Sequence, residues 1–382
     1  MGEESASNDA VPAGWRIRWL ELRNHVLGNA AFQRWMSLLP FTRPVARARA
    51  RQLFDLLAGF AYTQTLLATV ESGLLELLGR GPANLAAIGS VADLSREAAL
   101  RLARAAVAID LAEEVAPGWW MLGEQGAALS GNHGALAMIR HHRLLYADLA
   151  DPLALLREDR QSPTTLSRFW TYAGASTERS DDPQAARIYS ELMAASQHLV
   201  AEQVLPAYNF SQHHSVLDVG GGHGVFLGAV ADRHPRLRLA LFDLPQVAAR
   251  AAEQPHLAPH AARLAVHRGD FFADSIPQGF DLVTLVRILH DHDDDQAQQL
   301  LANIHRSLAP GAHLLIAEPM AGTRSAKAMG DAYFGLYLWA MRSGRPRSRA
   351  QIAAMMERAG FANIRKIATR LPLIASIIVA RA

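Results

Sequence analysis

The chain has no cysteine among its 382 residues. That excludes disulfides and thiolate metal sites as supports for the fold. Lysine is almost missing too, occurring only at 327 and 366, so arginine supplies nearly all of the 38 basic side chains. Beside so much alanine, this bias reads as genome base composition rather than function. Against 36 acidic residues the net charge is only +2, though unevenly spread. No stretch reads as a membrane span, and residues 1–10 are too polar and acidic for a signal peptide; the expectation is a cytoplasmic protein. No repeat, no low-complexity tract and no GxxxxGK[ST] loop occur, which argues against a nucleoside triphosphate ligand. What the chain has instead is apolar bulk. Half its residues are hydrophobic, enough for a large core and two domains.

The run Ser215-Val216-Leu217-Asp218-Val219-Gly220-Gly221-Gly222-His223-Gly224-Val225-Phe226-Leu227 carries the most information. A short apolar strand ends at an aspartate, a glycine-rich turn follows, and an apolar helix begins. Glycines allow the tight turn and let a ligand approach the backbone. Residues 238–242 read as the next strand, ending at Asp243, 23 residues after Gly220. A carboxylate at that distance suits the ribose hydroxyls of an adenosine. Strands are predicted near 215–219, 238–242, 264–267, 281–287, 312–317 and 373–380, alternating with helices. Such alternation is what a doubly wound α/β sheet requires.

DVGGGHG (218–224), FDLP (242–245), RGDFF (268–272) and RILHDHDD (287–294) follow one another as in S-adenosylmethionine-dependent O-methyltransferases of the plant caffeate and bacterial polyketide branch. The chain resembles that family over roughly residues 50–382. The resemblance implies a Rossmann-like methyltransferase domain with an N-terminal helical, winged-helix dimerisation domain. The expected division is 1–51 as a basic amphipathic extension, 52–135 as the winged-helix unit, 136–210 as a helical connector and 211–382 as the methyltransferase domain. The residues themselves support a winged helix. Residues 52–78 have helical apolar spacing, 84–111 read as two short helices, and 113–122 read as a hairpin around Pro117-Gly118. A winged helix raises DNA binding, but Arg96, Arg101 and Arg104 make no clear base-reading face, and no nucleic acid partner is expected. A homodimer is.

Carried over position by position, the resemblance implies contacts to S-adenosyl-L-methionine, and to its product S-adenosyl-L-homocysteine, from Asp218, Gly220, Gly222, Asp243, Leu244, Asp270, Phe271 and Arg287. His290 follows a strand at its carboxyl end, where open α/β sheets bind ligands, and takes the place of the family's general base. Asp291 joins it in the His-Asp motif, and Glu318 matches a carboxylate that buttresses the histidine. Acidic Asp293–Asp295 suit the start of a helix over 296–307 better than a metal site, so no metal is expected. Several positions depart from the family. Val286 stands for a lysine, His292 for a tryptophan that stacks, and Pro346 in Gly344-Arg345-Pro346-Arg347-Ser348 for a second buttressing glutamate.

Met193, Trp170, Tyr172, Met320, Phe334, Tyr337 and Trp339 are candidates to line an elongated apolar acceptor site, although helical spacing would equally put several in the core. The segment 15–51 is similar to that of carotenoid O-methyltransferases acting on acyclic 1-hydroxycarotenoids. It holds Arg16, Arg18, Arg23, Arg34, Arg43, Arg47, Arg49 and Arg51 against the single acid Glu21, interleaved with Trp15, Trp19 and Trp35. Such a stretch suits a peripheral membrane contact. The implied partner is a hydroxycarotenoid. An O-methyltransferase for an aromatic polyketide, phenol or tetrapyrrole would show the same donor motifs, as would a non-catalytic donor-binding regulator.

Overall fold

The computed structural model describes residues 14–169, 192, 196–323 and 326–382. Trp170, Tyr172 and Met193 lie outside the described residues. Three helices open the chain, α1 (Trp15–Gly28), α2 (Ala30–Leu38) and α3 (Arg43–Glu71). Asn29 caps α2, its side chain accepting from the amides of Ala31 and Phe32. Helix α3 runs unbroken across the position of the expected boundary between 51 and 52. Pro44 sits in its first turn, and the alanine–arginine run that follows is strongly helix-forming, so one helix passes straight through. It also stops before 78. Gly73, at φ 76°, turns the chain into a separate helix, Leu74–Gly79.

A second correction concerns membrane-spanning length. Helix α3 contains an 18-residue window of mean hydropathy 1.3, long and apolar enough to cross a membrane by length and composition alone. Its C-terminal end is nevertheless committed to the protein core, where Leu67 and Val70 pack with Leu75, Leu136 and Ile139. Only 17% of the window is buried within the chain. Leu53, Phe54, Leu56, Leu57 and Phe60 are all exposed, Leu56 by 82%. Among the described residues nothing covers these apolar side chains.

Next comes a small antiparallel sheet of β1 (Ala83–Asn84), β2 (Ala112–Ala116) and β3 (Trp119–Leu122), ordered β1-β3-β2. Helices Leu85–Ala92 and Arg96–Ala108 lie between β1 and β2, capped by the side chains of Asn84 and Ser95. The Pro117-Gly118 turn closes the hairpin with Gly118 at φ 77°. Trp120 is buried against Leu74, Leu78 and Ile88, making this a helical unit with a three-stranded wing.

The C-terminal part is a seven-stranded sheet of β4 (Ser215–Val219), β5 (Arg238–Asp243), β6 (Leu264–Arg268), β7 (Leu282–Val286), β8 (His313–Glu318), β9 (Ala362–Ile367) and β10 (Ser376–Arg381). Its order is β6-β5-β4-β7-β8-β10-β9, parallel except for β10, which runs antiparallel to both neighbours. Strands β4 and β7 are buried along their whole length, as near-continuous apolar runs in parallel sheets should be. Apolar clusters cover both faces, one around Phe210, Phe226 and Val230 and the other around Leu300, Ile304 and Met356. Strand β9 was not anticipated. It is an edge strand, largely exposed, whose Asn363, Arg365 and Lys366 hide the apolar signal and guard the edge against pairing. The strand order reverses between β4 and β7, and the carboxyl ends of β4, β5, β7 and β8 converge there. Ligands bind at such switch points.

Candidate active site

The glycine turn leaves β4 held to β5, because Gly220 donates its amide to Phe242 at 2.8 Å. Gly220 has φ 70°, and a Cβ there would fall 2.6 Å from Ile288 Cδ1, so only glycine fits. Gly222, at φ 58°, has open space where its Cβ would be. Asp243 faces that opening. Its Oδ2 accepts from the Gly222 amide at 2.8 Å and its Oδ1 from the Leu244 amide at 2.7 Å. Burial pushes its pKa up to about 6, with both backbone donors pulling it back. Each carboxylate oxygen keeps a lone pair, so two vicinal hydroxyls could be received together.

Asp218, expected among the donor contacts, is placed otherwise. It is 1% exposed and accepts from Thr284 Oγ1 at 2.6 Å, beneath the loop and within the sheet. Burial raises its carboxyl to about 7, and a Cβ on Gly221 would fall 2.7 Å from its Oδ2. Asp270 makes a local turn after β6, its Oδ1 accepting from the Phe272 amide at 2.8 Å. The turn presents Phe271 and Phe272 edge-on to His292, with ring centroids 5.5 and 5.0 Å away. His292 therefore makes ring contacts at the position where the family resemblance puts tryptophan.

Beyond β7 the chain makes a tight 3-10 turn, Leu289–Asp291. Arg287 enters it at φ 58°, an uncommon conformation for a side-chain-bearing residue, with its guanidinium bonded to Ser196 Oγ. His290 is 3% exposed. Its Nε2 lies 3.2 Å from Asp291 Oδ1, while its buried Nδ1 has no hydrogen-bond partner among the described residues. Glu318 Oε2 accepts from the His290 backbone amide at 3.1 Å. Glu318 thus holds the histidine's main chain, and Asp291 is the carboxylate at its ring. Burial, then Arg287, Arg347 and His292, depress the His290 pKa well below 6.5. Burial raises Glu318 to about 7 against the pull of Arg347, and raises Asp291 well above the carboxylate range.

The segment 343–347 holds this turn in place. Arg347 is fully buried and donates to the carbonyls of Leu289 at 2.8 Å and His292 at 2.7 Å. The Arg345 amide donates to the His290 carbonyl at 3.0 Å, and Ser343 Oγ to that of Asp291 at 2.6 Å. Gly344, at φ 75°, passes so close that a Cβ would fall 2.1 Å from the His290 carbonyl oxygen. Asp294 pairs with both Arg345 and Arg347, which hold its carboxyl down to about 2. Asp293 accepts from Arg160 and from the Gly344 amide. These aspartates start helix Asp294–Ser307, as their charge suggests, and also tie it to the arginines. Arg347 and Ser343 were missed by sequence reasoning. The only sequence signal was the altered family segment 344–348.

Of the residues expected at the acceptor, the structure brings Phe334 to His290, with ring centroids 5.9 Å apart, and Tyr337 within 6.5 Å of Phe334. Two other candidates are placed elsewhere. Met320 is buried in the core of the sheet, and Trp339 turns its indole N–H to the Leu155 carbonyl, under Arg160.

The sequence matches the O-methyltransferase domain family over residues 146–362. It is 38% identical to demethylspheroidene O-methyltransferase of Cereibacter sphaeroides, over 97% of each chain. With the enzyme of the same name from Rhodobacter capsulatus it is 40% identical, over 89% of this chain and 84% of the relative. Among solved structures, mitomycin 7-O-methyltransferase MmcR superposes with a TM-score of 0.72 at 25% identity, covering 89% of this chain and 100% of the other. Human N-acetylserotonin methyltransferase in complex with S-adenosylmethionine shares the fold, with a TM-score of 0.74 at 23% identity over 87% of this chain and 97% of the other.

Removing the Arg347 guanidinium leaves two carbonyls of the turn without a donor, at about 1–3 kcal/mol for each buried group left unpaired. Arg347→Met should therefore lower the urea midpoint of unfolding. An unchanged midpoint would mean that water takes the place of the guanidinium and that the turn does not depend on it.

Proposed function

The chain belongs to the S-adenosylmethionine-dependent O-methyltransferase family, and on that premise we propose that it methylates the tertiary hydroxyl of an acyclic 1-hydroxycarotenoid. One observation carries the choice of acceptor. Identity to the demethylspheroidene enzyme of Cereibacter sphaeroides runs over 97% of both chains, so it includes the arginine- and tryptophan-bearing extension. O-Methyltransferase SfmM3 of Streptomyces lavendulae, by contrast, is 30% identical over 78% of this chain.

The residues at the switch point fit the donor. Gly222 leaves the open space a close ligand needs, and Asp243 offers two acceptor oxygens beside it for the ribose hydroxyls. Leu244 would line the pocket, and Asp270 with Phe271 would flank the adenine. When bound, S-adenosylmethionine supplies a methyl group on a sulfonium, reactive toward an oxygen nucleophile. The protein's tasks are alignment and removal of the acceptor's proton. His290 performs the second. With Nε2–H donating to Asp291, the lone pair sits on Nδ1, which accepts the hydroxyl proton. Burial and the two arginines keep the ring neutral beforehand, as a base must be. An alkanol is too weak an acid to be ionised in advance, so proton removal accompanies methyl transfer. An oxygen of Asp291 goes on accepting from Nε2–H once the imidazolium forms, and Glu318 with the 343–347 segment keeps the turn from moving.

The chain acts as a homodimer built through α3 and the winged unit. Its N-terminal helices rest on a membrane surface, from which a water-insoluble acceptor can be taken. Supporting this are the uncovered apolar side chains of α3 and, on α1 and α2, exposed Trp15, Trp19, Leu22, Trp35 and Leu38 among arginines. Tryptophan favours the membrane interface and arginine the anionic headgroups.

Incubation with labelled donor, detergent-dispersed 1-hydroxycarotenoid and a panel of phenols tests the acceptor. Transfer to the carotenoid is expected, and transfer to phenols alone would overturn the reading. His290→Ala should cut turnover by about two decades or more while calorimetric affinity for S-adenosylhomocysteine holds. In the wild type the pH–rate profile should stay flat as pH falls through about 6.5, because protonation of the base is postponed to more acid pH. A break at the ordinary imidazole value would remove His290 from the role. The intact protein should sediment as a dimer and float with anionic vesicles in low salt, and replacing Trp15, Trp19 and Trp35 with serine should abolish flotation alone. A monomer, or flotation unchanged in the variant, would count against the respective contact.

A further inference from the structure

The base stands between the glycine loop, which Ile288 meets at Gly220, and the segment Ala328–Ala340, which Phe334 brings to its ring. That segment begins as a π-helix, Ala328–Tyr333, and continues as an α-helix from Phe334. The widened turn thus ends at the two residues that lead to His290, and such turns concentrate at functional sites. Helix His133–Asp148 packs beside it and makes the same contact twice. His142 Nε2 lies 2.7 Å from Tyr333 Oη, and His141 Nε2 lies 2.8 Å from Tyr337 Oη. The two tyrosine rings are 5.9 Å apart, and Tyr333 meets Phe334 edge-on at 5.0 Å. The result is a continuous aromatic wall from His141 to His290, with four polar atoms closed into two pairs.

All four groups in it are uncharged at neutral pH. Burial lowers both imidazoles, His141 to about 4, and raises both phenols far above their usual range. A lone imidazole nitrogen or phenol hydroxyl here would keep a water. A long hydrocarbon acceptor would have to displace that water and could offer no hydrogen bond in return. Pairing within the protein removes that cost.

We propose that the His142–Tyr333 pair, backed by His141–Tyr337, sets the acceptor class by closing the wall's polar atoms on each other, so that a long apolar chain can lie against it. The proposal deepens the hydroxycarotenoid reading and rests on it.

The test is a double-mutant cycle read on the acceptor KM. His142→Phe and Tyr333→Phe each strand one polar group, and each should raise the hydroxycarotenoid KM about fivefold or more. The donor KM and the melting midpoint should hardly move, because the stranded group is penalised only when the acceptor displaces its water. The double variant removes both groups and should return the acceptor KM to within about twofold of wild type. A double variant as impaired as the product of the two singles overturns the proposal, as do singles with unaltered KM or a fall in melting midpoint in place of a KM effect. Should the double variant fail to fold, His142→Gln gives the same decision, since its amide can still reach Tyr333. A wild-type KM supports the pairing, and one matching His142→Phe overturns it. Wild-type enzyme that methylates phenols and not the carotenoid defeats the acceptor reading first. Wild-type activity on the carotenoid with a KM indifferent to the pair defeats only the wall.

Discussion

Four consecutive carbonyls, those of Leu289, His290, Asp291 and His292, are each held by a donor from the segment 343–347. A 3-10 turn of three residues has almost no internal hydrogen bonding of its own. Without these donors its carbonyls would look to water, and the histidine on it would have no fixed direction. Arg347 can serve two carbonyls at once because its guanidinium is a rigid planar fork. Gly344 lets the backbone come within contact of the turn, where a Cβ would strike the His290 carbonyl. Ser348 then starts the next helix with a reciprocal cap to Gln351, so the clamp is itself anchored. The position of His290 is thus set mainly by residues more than fifty positions further along the chain.

The same arrangement sets the electrostatics. A base for a weakly acidic hydroxyl must be unprotonated and must have somewhere to put the charge it acquires. Burial and the nearby Arg287 and Arg347 disfavour the imidazolium in the resting site. Asp291, at the ring, is the group placed to accept a hydrogen bond from it once formed. Glu318, deeper and bonded to backbone amides, serves geometry more than charge. Two carboxylates close in space therefore divide the work according to which atoms of His290 they meet. At the glycine turn, Asp218 and Asp243 differ similarly, one bonded to Thr284 within the sheet and the other to the amides of Gly222 and Leu244.

The chain's apolar surface is less complete than its core. The seven-stranded sheet is covered on both faces, but among the described residues nothing covers the hydrophobic stretch of α3 between its arginine-rich start and its buried end. An apolar helix surface of that extent is stable only against a second surface, whether a copy of the chain or a bilayer. The chemistry proposed for the site makes the same demand, since an acceptor with no aqueous concentration has to be delivered from an apolar phase.

Sequence alone determined the features whose causes are local. A glycine turn after an apolar strand, an aspartate at the end of the next strand and a histidine following a third are all set by backbone conformation and strand length. So are the winged unit and the parallel sheet, because period-2 and period-3.6 patterns record which face of each element is buried. Tertiary structure decided what depends on distant partners. Nothing local in Gly344–Ser348 says that Arg347 reaches back to the His290 turn, or that Asp291 and not Glu318 meets the ring. Met320 and Trp339 had the composition of pocket residues and went to the core and to a carbonyl, since an apolar side chain carries no record of which cavity it fills. Helix α3 passed through a boundary drawn on charge, because arginine and alanine are good helix formers whatever their net charge. Edge strand β9 stayed hidden because its outward charges mask the alternation. Local propensity acts over a few residues, whereas packing and charge pairing act across the fold.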